Sequence, residues 1–255
     1  FLPKELLNSE KICVVGIGTL LNDGLLNEIT KYDKAMVFCS GVGYGKHSRL
    51  VGNSKLVYAG VRGPKSAKAL NLEEGLAKTD AAILLYDKKT KCKKLHGITF
   101  IPHINTDWSS GNILRRICEE LNINYIAPNS QLDEFVQSIN ASSLVITEAM
   151  HGAIVADTLR VPWLPIKIHN ALGFKWQDWT SSMELNYTPY ELAPIYNAAS
   201  SLFSRTKTEL KYFLFRRQLK NILDKPYFLS EEAKFEKKLS DVLALTNSEY
   251  IKNLI

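Results

Sequence analysis

The sequence predicts an α/β protein built on doubly wound, parallel sheets. Three observations predict it. Short apolar runs alternate with stretches of helical periodicity about ten residues long. The early runs each end in a glycine-rich turn. Beyond residue 94 the order β-α-β-α-β-α-β requires parallel pairing with right-handed crossovers. At 255 residues and 45% hydrophobic content, the chain can bury a substantial core without a staple.

The first apolar strand is Lys11–Gly16, followed by the turn Gly16-Ile17-Gly18. The second, Ala35–Ser40, ends in Gly41-Val42-Gly43, and the third, Lys55–Gly60, ends in Val61-Arg62-Gly63. Ser66–Leu70 starts a helix with Pro64 near its beginning. The apolar run Asp80–Tyr86 leads into a polar, basic turn, where a lobe boundary is expected. Then follow a strand at Lys94–His103, an amphipathic helix at Ser110–Leu121, a strand at Asn124–Ala127 and a helix at Gln131–Asn140. A strand at Ser143–Thr147, a helix at Gly152–Leu159 and a strand at Pro162–Ile168 complete the run. From Tyr190 onward the chain reads as helical and charged. The division expected is 1–90, 91–189 and 190–255: two lobes and a basic helical extension. The chain opens on Phe1 rather than Met, so residues upstream are expected.

Composition narrows the function classes. No apolar run approaches the ~18 residues that span a bilayer. Cys13, Cys39, Cys92 and Cys118 are scattered with no CxxC pair, as in reduced cytosolic proteins. The net charge of +6 is concentrated. Arg205, Lys207, Lys211, Arg216, Arg217, Lys220 and Lys225 face only Glu209 and Asp224 in that stretch. Its aromatic and apolar neighbours suggest contact with an anionic membrane surface. The alternative is a helix packing Tyr212, Phe213 and Phe215 into the core.

The residues able to carry chemistry sit at predicted strand exits, where parallel sheets place ligands. His151 lies between a strand ending at Thr147 and a helix beginning near Gly152. An imidazole there can exchange a proton near neutral pH, and the helix end favours an anion. The alternative is a capped core histidine. Glu148 is close by, and His103 ends the strand opening the second lobe. Arg62 could fork onto a carboxylate or phosphate with Ser66 beside it, or be a surface arginine in a turn. Gly16 and Gly18 form a phosphate-approach turn without the third glycine of a dinucleotide fingerprint. In Phe174-Lys175-Trp176-Gln177-Asp178-Trp179, Lys175 could meet an anion and Trp176 or Trp179 a sugar face, or the segment could simply pack. His47, His96 and His169 show no metal-ligand spacing.

Taken in order, GIGT, GVG, VRGPxS, IPH, EAMHGAIVADTLRVPW and FKWQDW resemble the polysaccharide pyruvyl transferase family, in its exopolysaccharide-decorating, succinoglycan-type branch. The resemblance spans about Lys11 to Ser182 and is most specific at Glu148–Trp163. It implies two Rossmann-like lobes resembling the GT-B glycosyltransferase fold, with a cleft between them. It implies phosphoenolpyruvate as donor, a sugar of a growing and lipid-linked or free glycan as acceptor, and a pyruvate ketal as product. Relatives carry Arg-Leu-His-Gly where this chain has Ala149-Met150-His151-Gly152, so the arginine's anion contact must come from elsewhere, with Lys175 and Arg62 as candidates. Their Asn-Phe-Gly-Asp-like segment near the amino terminus is absent.

On this reading His151 is the general acid and His103 or Glu148 the base. Arg62, Ser66, Gly16, Gly18, Gly152 and Lys175 hold the donor, and Trp176 and Trp179 the acceptor. No metal, organic cofactor or nucleic-acid partner is expected, and the expected location is cytoplasmic, at the inner membrane face. The rivals are a nucleotide-sugar glycosyltransferase on the same architecture and a non-catalytic glycan- or membrane-binding subunit.

Overall fold

The computed structural model describes residues 2–89, 96–169, 173–196 and 202–247, with backbone alone for His96 and residues 202–208. In chain order the first elements are α1 (Lys4–Leu7), β1 (Ile12–Val15), α2 (Leu25–Glu28), β2 (Lys34–Ser40), β3 (Leu56–Val61) and α3 (Pro64–Ala69). Next come β4 (His96–Ile101), α4 (Ile104–Glu120), β5 (Asn124–Tyr125), α5 (Leu132–Asn140), β6 (Ser142–Thr147) and α6 (Met150–Thr158). The last are β7 (Trp163–Lys167), α7 (Gly173–Ser182), β8 (Tyr190–Glu191), α8 (Leu202–Ile222) and α9 (Glu232–Thr246).

The chain divides into two compact units. Unit 1 is Phe1–Leu84, Leu172–Tyr187 and Ser230–Ile255, and unit 2 is Leu85–Ala171 and Thr188–Leu229. Both are discontinuous, whereas the sequence reading has contiguous segments. α7 and α9 return to unit 1, and α8 belongs to unit 2 rather than to a separate extension. Amphipathic periodicity says that a helix has a buried face but not which sheet it covers. Cys92 and most of the polar turn after Tyr86 lie outside the described residues, as do the side chains of Arg205 and Lys207.

Unit 1 holds a three-stranded parallel sheet in the order β1-β2-β3. β2 is buried from Ala35 to Ser40, as expected of a central parallel strand covered on both faces. Its core gathers Val15, Leu21, Val37, Leu50, Val61 and Leu70. β2 bulges against β3 near Cys39, whose φ of 60° is in the left-handed region. The apolar run Asp80–Tyr86 enters 3-10 turns that span Ala81–Lys88.

Unit 2 holds a five-stranded parallel sheet in the order β5-β4-β6-β7-β8. The chain leaves β4 for β5 on one side and returns for β6 on the other. The strand order therefore reverses at β4 and β6, the topological switch point where doubly wound sheets bind ligands. Phe100, Ile117, Ile146, Leu164, Phe215 and Leu219 lie in its core. α4 starts at Ile104, six residues before the expected Ser110, because His103 caps it. Its Nδ1 accepts the Asn105 N–H at 3.3 Å, and Asp107 stands in the first turn. α6 starts at Met150, so His151 lies inside its first turn rather than before it.

Candidate active site

In unit 1, Arg62 leaves β3 and lies fully buried. Its Nε donates to Asp178 Oδ2 at 3.1 Å, with both side chains 0% exposed. Nη1 donates to Thr19 Oγ1 at 3.0 Å and points to Gly18 O at 3.4 Å, while Nη2 donates to Val42 O at 2.7 Å. One guanidinium thus joins the exits of β1, β2 and β3 to α7. Ser66 completes the clamp: its N–H and Oγ donate to Asp178 at 2.9 and 2.5 Å, and its Oγ accepts the Val42 N–H at 3.0 Å.

This overturns the expectation that Arg62 and Ser66 grip the donor. Their polar atoms are committed within the protein, and Arg62 is neither a free fork nor a surface residue. The glycines around them serve the clamp. A Cβ on Gly41 would fall 2.3 Å from Arg62 Cζ, and one on Gly63 would fall 2.0 Å from Asp178 O. Gly18 has φ +126°, which favours glycine, and its carbonyl also accepts from Ser40 Oγ at 3.0 Å. A Cβ on Gly16 would meet nothing within 4 Å.

Lys175 is 7% exposed, and its Nζ donates to the Tyr44 hydroxyl at 2.7 Å. No carboxylate among the described residues pairs with it. A buried ammonium with a neutral partner is costly unless an anion joins it. Trp176 and Trp179, at 0% and 2% exposed, are core residues of unit 1, and Trp176 stacks on Tyr187 at 4.9 Å. Rings so enclosed present no open face to a sugar, which corrects the acceptor assignment. α7 turns these rings inward, a choice that the aromatic run FKWQDW leaves open.

In unit 2 the carboxylate of Glu148 plays a role comparable to that of the Arg62 guanidinium. Glu148 is buried. Oε2 accepts the His103 N–H at 3.0 Å, and Oε1 accepts the N–H groups of Ile168 and His169, each at 3.1 Å. It joins the exits of β4, β6 and β7, so both its oxygens are engaged by backbone N–H groups, which counts against the expected role as base. Gly152 is required by packing, since a Cβ there would come 2.4 Å from Thr147 Oγ1.

Three histidines follow three neighbouring strands: His103 after β4, His151 after β6 and His169 after β7. In α6 every residue is buried except His151, which is half-buried. The Nε2 atoms of His151 and His169 are shielded from solvent. His169 also meets Tyr196, with ring centroids 5.1 Å apart and Nδ1 3.4 Å from the hydroxyl. Sequence reasoning set His169 aside for its lack of metal spacing; the available signal was that it ends a strand as His103 does. It also missed Asp178, whose partner Arg62 is 116 residues away. Among the described residues, no group of three or more His, Cys, Asp or Glu could hold a metal ion.

The profile of the polysaccharide pyruvyl transferases matches residues 11–170. The chain belongs to this family. The matched stretch takes in the clamp residues up to Ser66 and all three strand-exit histidines, and stops before Lys175. The chain is also similar to the succinoglycan biosynthesis protein ExoV of Rhizobium meliloti (strain 1021), at 33% identity over 181 residues. That alignment covers 69% of this chain, and the chain spans 55% of the length of ExoV. In this chain the residue at the departure from the family pattern, Ala149, is the N-cap of α6, and its N–H is held by Thr147 Oγ1 at 3.0 Å.

Proposed function

We propose that this protein transfers the pyruvyl group of phosphoenolpyruvate to a sugar of a bacterial exopolysaccharide precursor, forming a cyclic ketal. Family membership supports the reaction class, and the name of the ExoV relative supports the pathway. The observation that carries the catalytic assignment is the position of His103 and His151 at the β4/β6 switch point, with Glu148 fixing the backbone between them. The two parallel sheets, one per unit, support the reading of two Rossmann-like lobes of GT-B type. Phosphoenolpyruvate is a cytoplasmic metabolite, which favours a cytoplasmic enzyme.

In the proposed scheme His151 protonates the methylene carbon of phosphoenolpyruvate, leaving cationic character at C2. A sugar hydroxyl adds to C2 and gives up its proton to an imidazole. The C2–O bond to phosphate then breaks, with the electron pair leaving on phosphate. A second hydroxyl closes the ring and loses its proton. With Glu148 committed to backbone N–H groups, the remaining strand-exit imidazoles are those of His103 and His169. His103 Nδ1 accepts from Asn105, so its neutral form carries the proton on Nε2. That orientation suits His103 to donating and gives His169 the stronger claim as base. In unit 1, Lys175 is assigned as an anion contact. The scheme calls for no metal or organic cofactor.

The test incubates the protein with phosphoenolpyruvate and a depyruvylated exopolysaccharide oligosaccharide. Phosphate release and the mass gain of one ketal-linked pyruvyl group are then measured. We expect acceptor-dependent phosphate release, reduced about 10²–10⁴-fold in a folded His151→Ala variant. Turnover of a nucleotide sugar in place of phosphoenolpyruvate, binding of glycan without turnover, or near-normal rates in the variant would overturn the proposal.

A further inference from the structure

We propose that the outer face of α8 is a docking surface for an anionic phospholipid membrane. The described part of this helix has two opposed faces. Tyr212, Phe215, Leu219 and Ile222 enter the core of unit 2. At about 100° per residue the opposite face carries Leu210, Phe213, Leu214 and Arg217, at the i, i+3, i+4, i+7 spacing of one stripe. Leu210 is 63% exposed, Phe213 61% and Leu214 45%. The core therefore takes up one apolar stripe and leaves a second, including an aromatic ring, in water.

Charge chooses the occupant. Arg217 lies in the middle of the outer stripe, and exposed Lys211 and Lys220 flank it on either side. Glu209 is the acidic residue at its border. Arg216 is excluded, because its Nε pairs with Glu120 Oε2 at 3.1 Å. Apolar side chains ringed by cations suit an interface of acyl chains beneath anionic headgroups. An apolar protein partner would call for fewer cations. No helix among the described residues is long and apolar enough to cross a membrane, so the contact is peripheral. It is independent of the proposed chemistry, and either can fail without the other.

The test is flotation of the full chain with phosphatidylcholine vesicles and with vesicles of equal phosphatidylcholine and phosphatidylglycerol. Binding is expected on the anionic vesicles alone, weakening as salt rises. Each cation near an anionic leaflet strengthens binding about fivefold. Lys211→Gln/Arg217→Gln/Lys220→Gln is therefore expected to lower affinity by roughly a hundredfold. Phe213→Ser/Leu214→Ser is expected to lose binding although its charge is unchanged. All five positions are exposed, and circular dichroism checks the fold. Equal flotation on the two vesicle types, or none, overturns the proposal whatever the variants do. So does a dimer in size exclusion without lipid that Phe213→Ser/Leu214→Ser disperses, which would assign the face to a second copy.

Discussion

Removing Arg62 tests whether it is a structural clamp or a ligand contact. Arg62→Ala deletes the partner of a carboxylate that is 0% exposed and strips Val42 O and Thr19 Oγ1 of donors at 2.7 and 3.0 Å. Asp178 keeps only the two bonds from Ser66. Breaking a buried ion pair in this way costs about 3–5 kcal/mol. Two or three charge-assisted bonds at roughly 1.5–3 kcal/mol each would come to about 3–9 kcal/mol, whose lower part overlaps that figure. The clamp also predicts a coupling. Gly41→Ala places a methyl group 2.3 Å from Arg62 Cζ, an overlap expected to cost at least about 1–3 kcal/mol. In the Arg62→Ala background that overlap is gone, so the second substitution adds far less, a non-additivity of about 1 kcal/mol or more. Urea unfolding followed by tryptophan fluorescence measures all four proteins, with the buried Trp176 and Trp179 reporting on unit 1. A loss below about 1 kcal/mol for Arg62→Ala, or the same cost of Gly41→Ala in both backgrounds, would refute the clamp.

Two further outcomes are expected. Glu148→Gln keeps one acceptor oxygen but turns an NH₂ group toward backbone donors, at a cost of about 1–3 kcal/mol; hydrogen exchange at the amides of His103, Ile168 and His169 then accelerates, and unchanged exchange there would return Glu148 to the list of bases. Burial pushes the Cys39 and Cys118 thiols up to about 12, so the fold favours their neutral forms. That contribution is complete below the ordinary thiol value near 9 and is lost as pH rises toward about 12. In the folded protein, iodoacetamide at mildly alkaline pH is expected to spare both while reaching half-exposed Cys13. Mass spectrometry showing all three labelled at one rate would contradict this.

The sequence by itself determined the strand exits and that His151 follows closely on β6, though not that it already lies in the first turn of α6, because the order of elements is local. An apolar run bounded by glycine ends a strand, and Thr147-Glu148-Ala149-Met150-His151-Gly152 spans one strand-to-helix connection whatever surrounds it. It also determined that the residues able to carry chemistry stand at those exits. The tertiary structure decided which of them are already committed. Arg62 and Glu148 both read as residues for substrate. Each instead has partners far along the chain: Asp178 for Arg62, and the backbone of His103, Ile168 and His169 for Glu148. Trp176 and Trp179 read as platforms, and α7 turns them into the core. Likewise the α8 pattern announces apolar and basic residues together, but only packing separates Phe215 inside from Phe213 outside. The physical reason is common to all of these: a side chain's chemistry is written in its identity, but its availability depends on what folding brings against it.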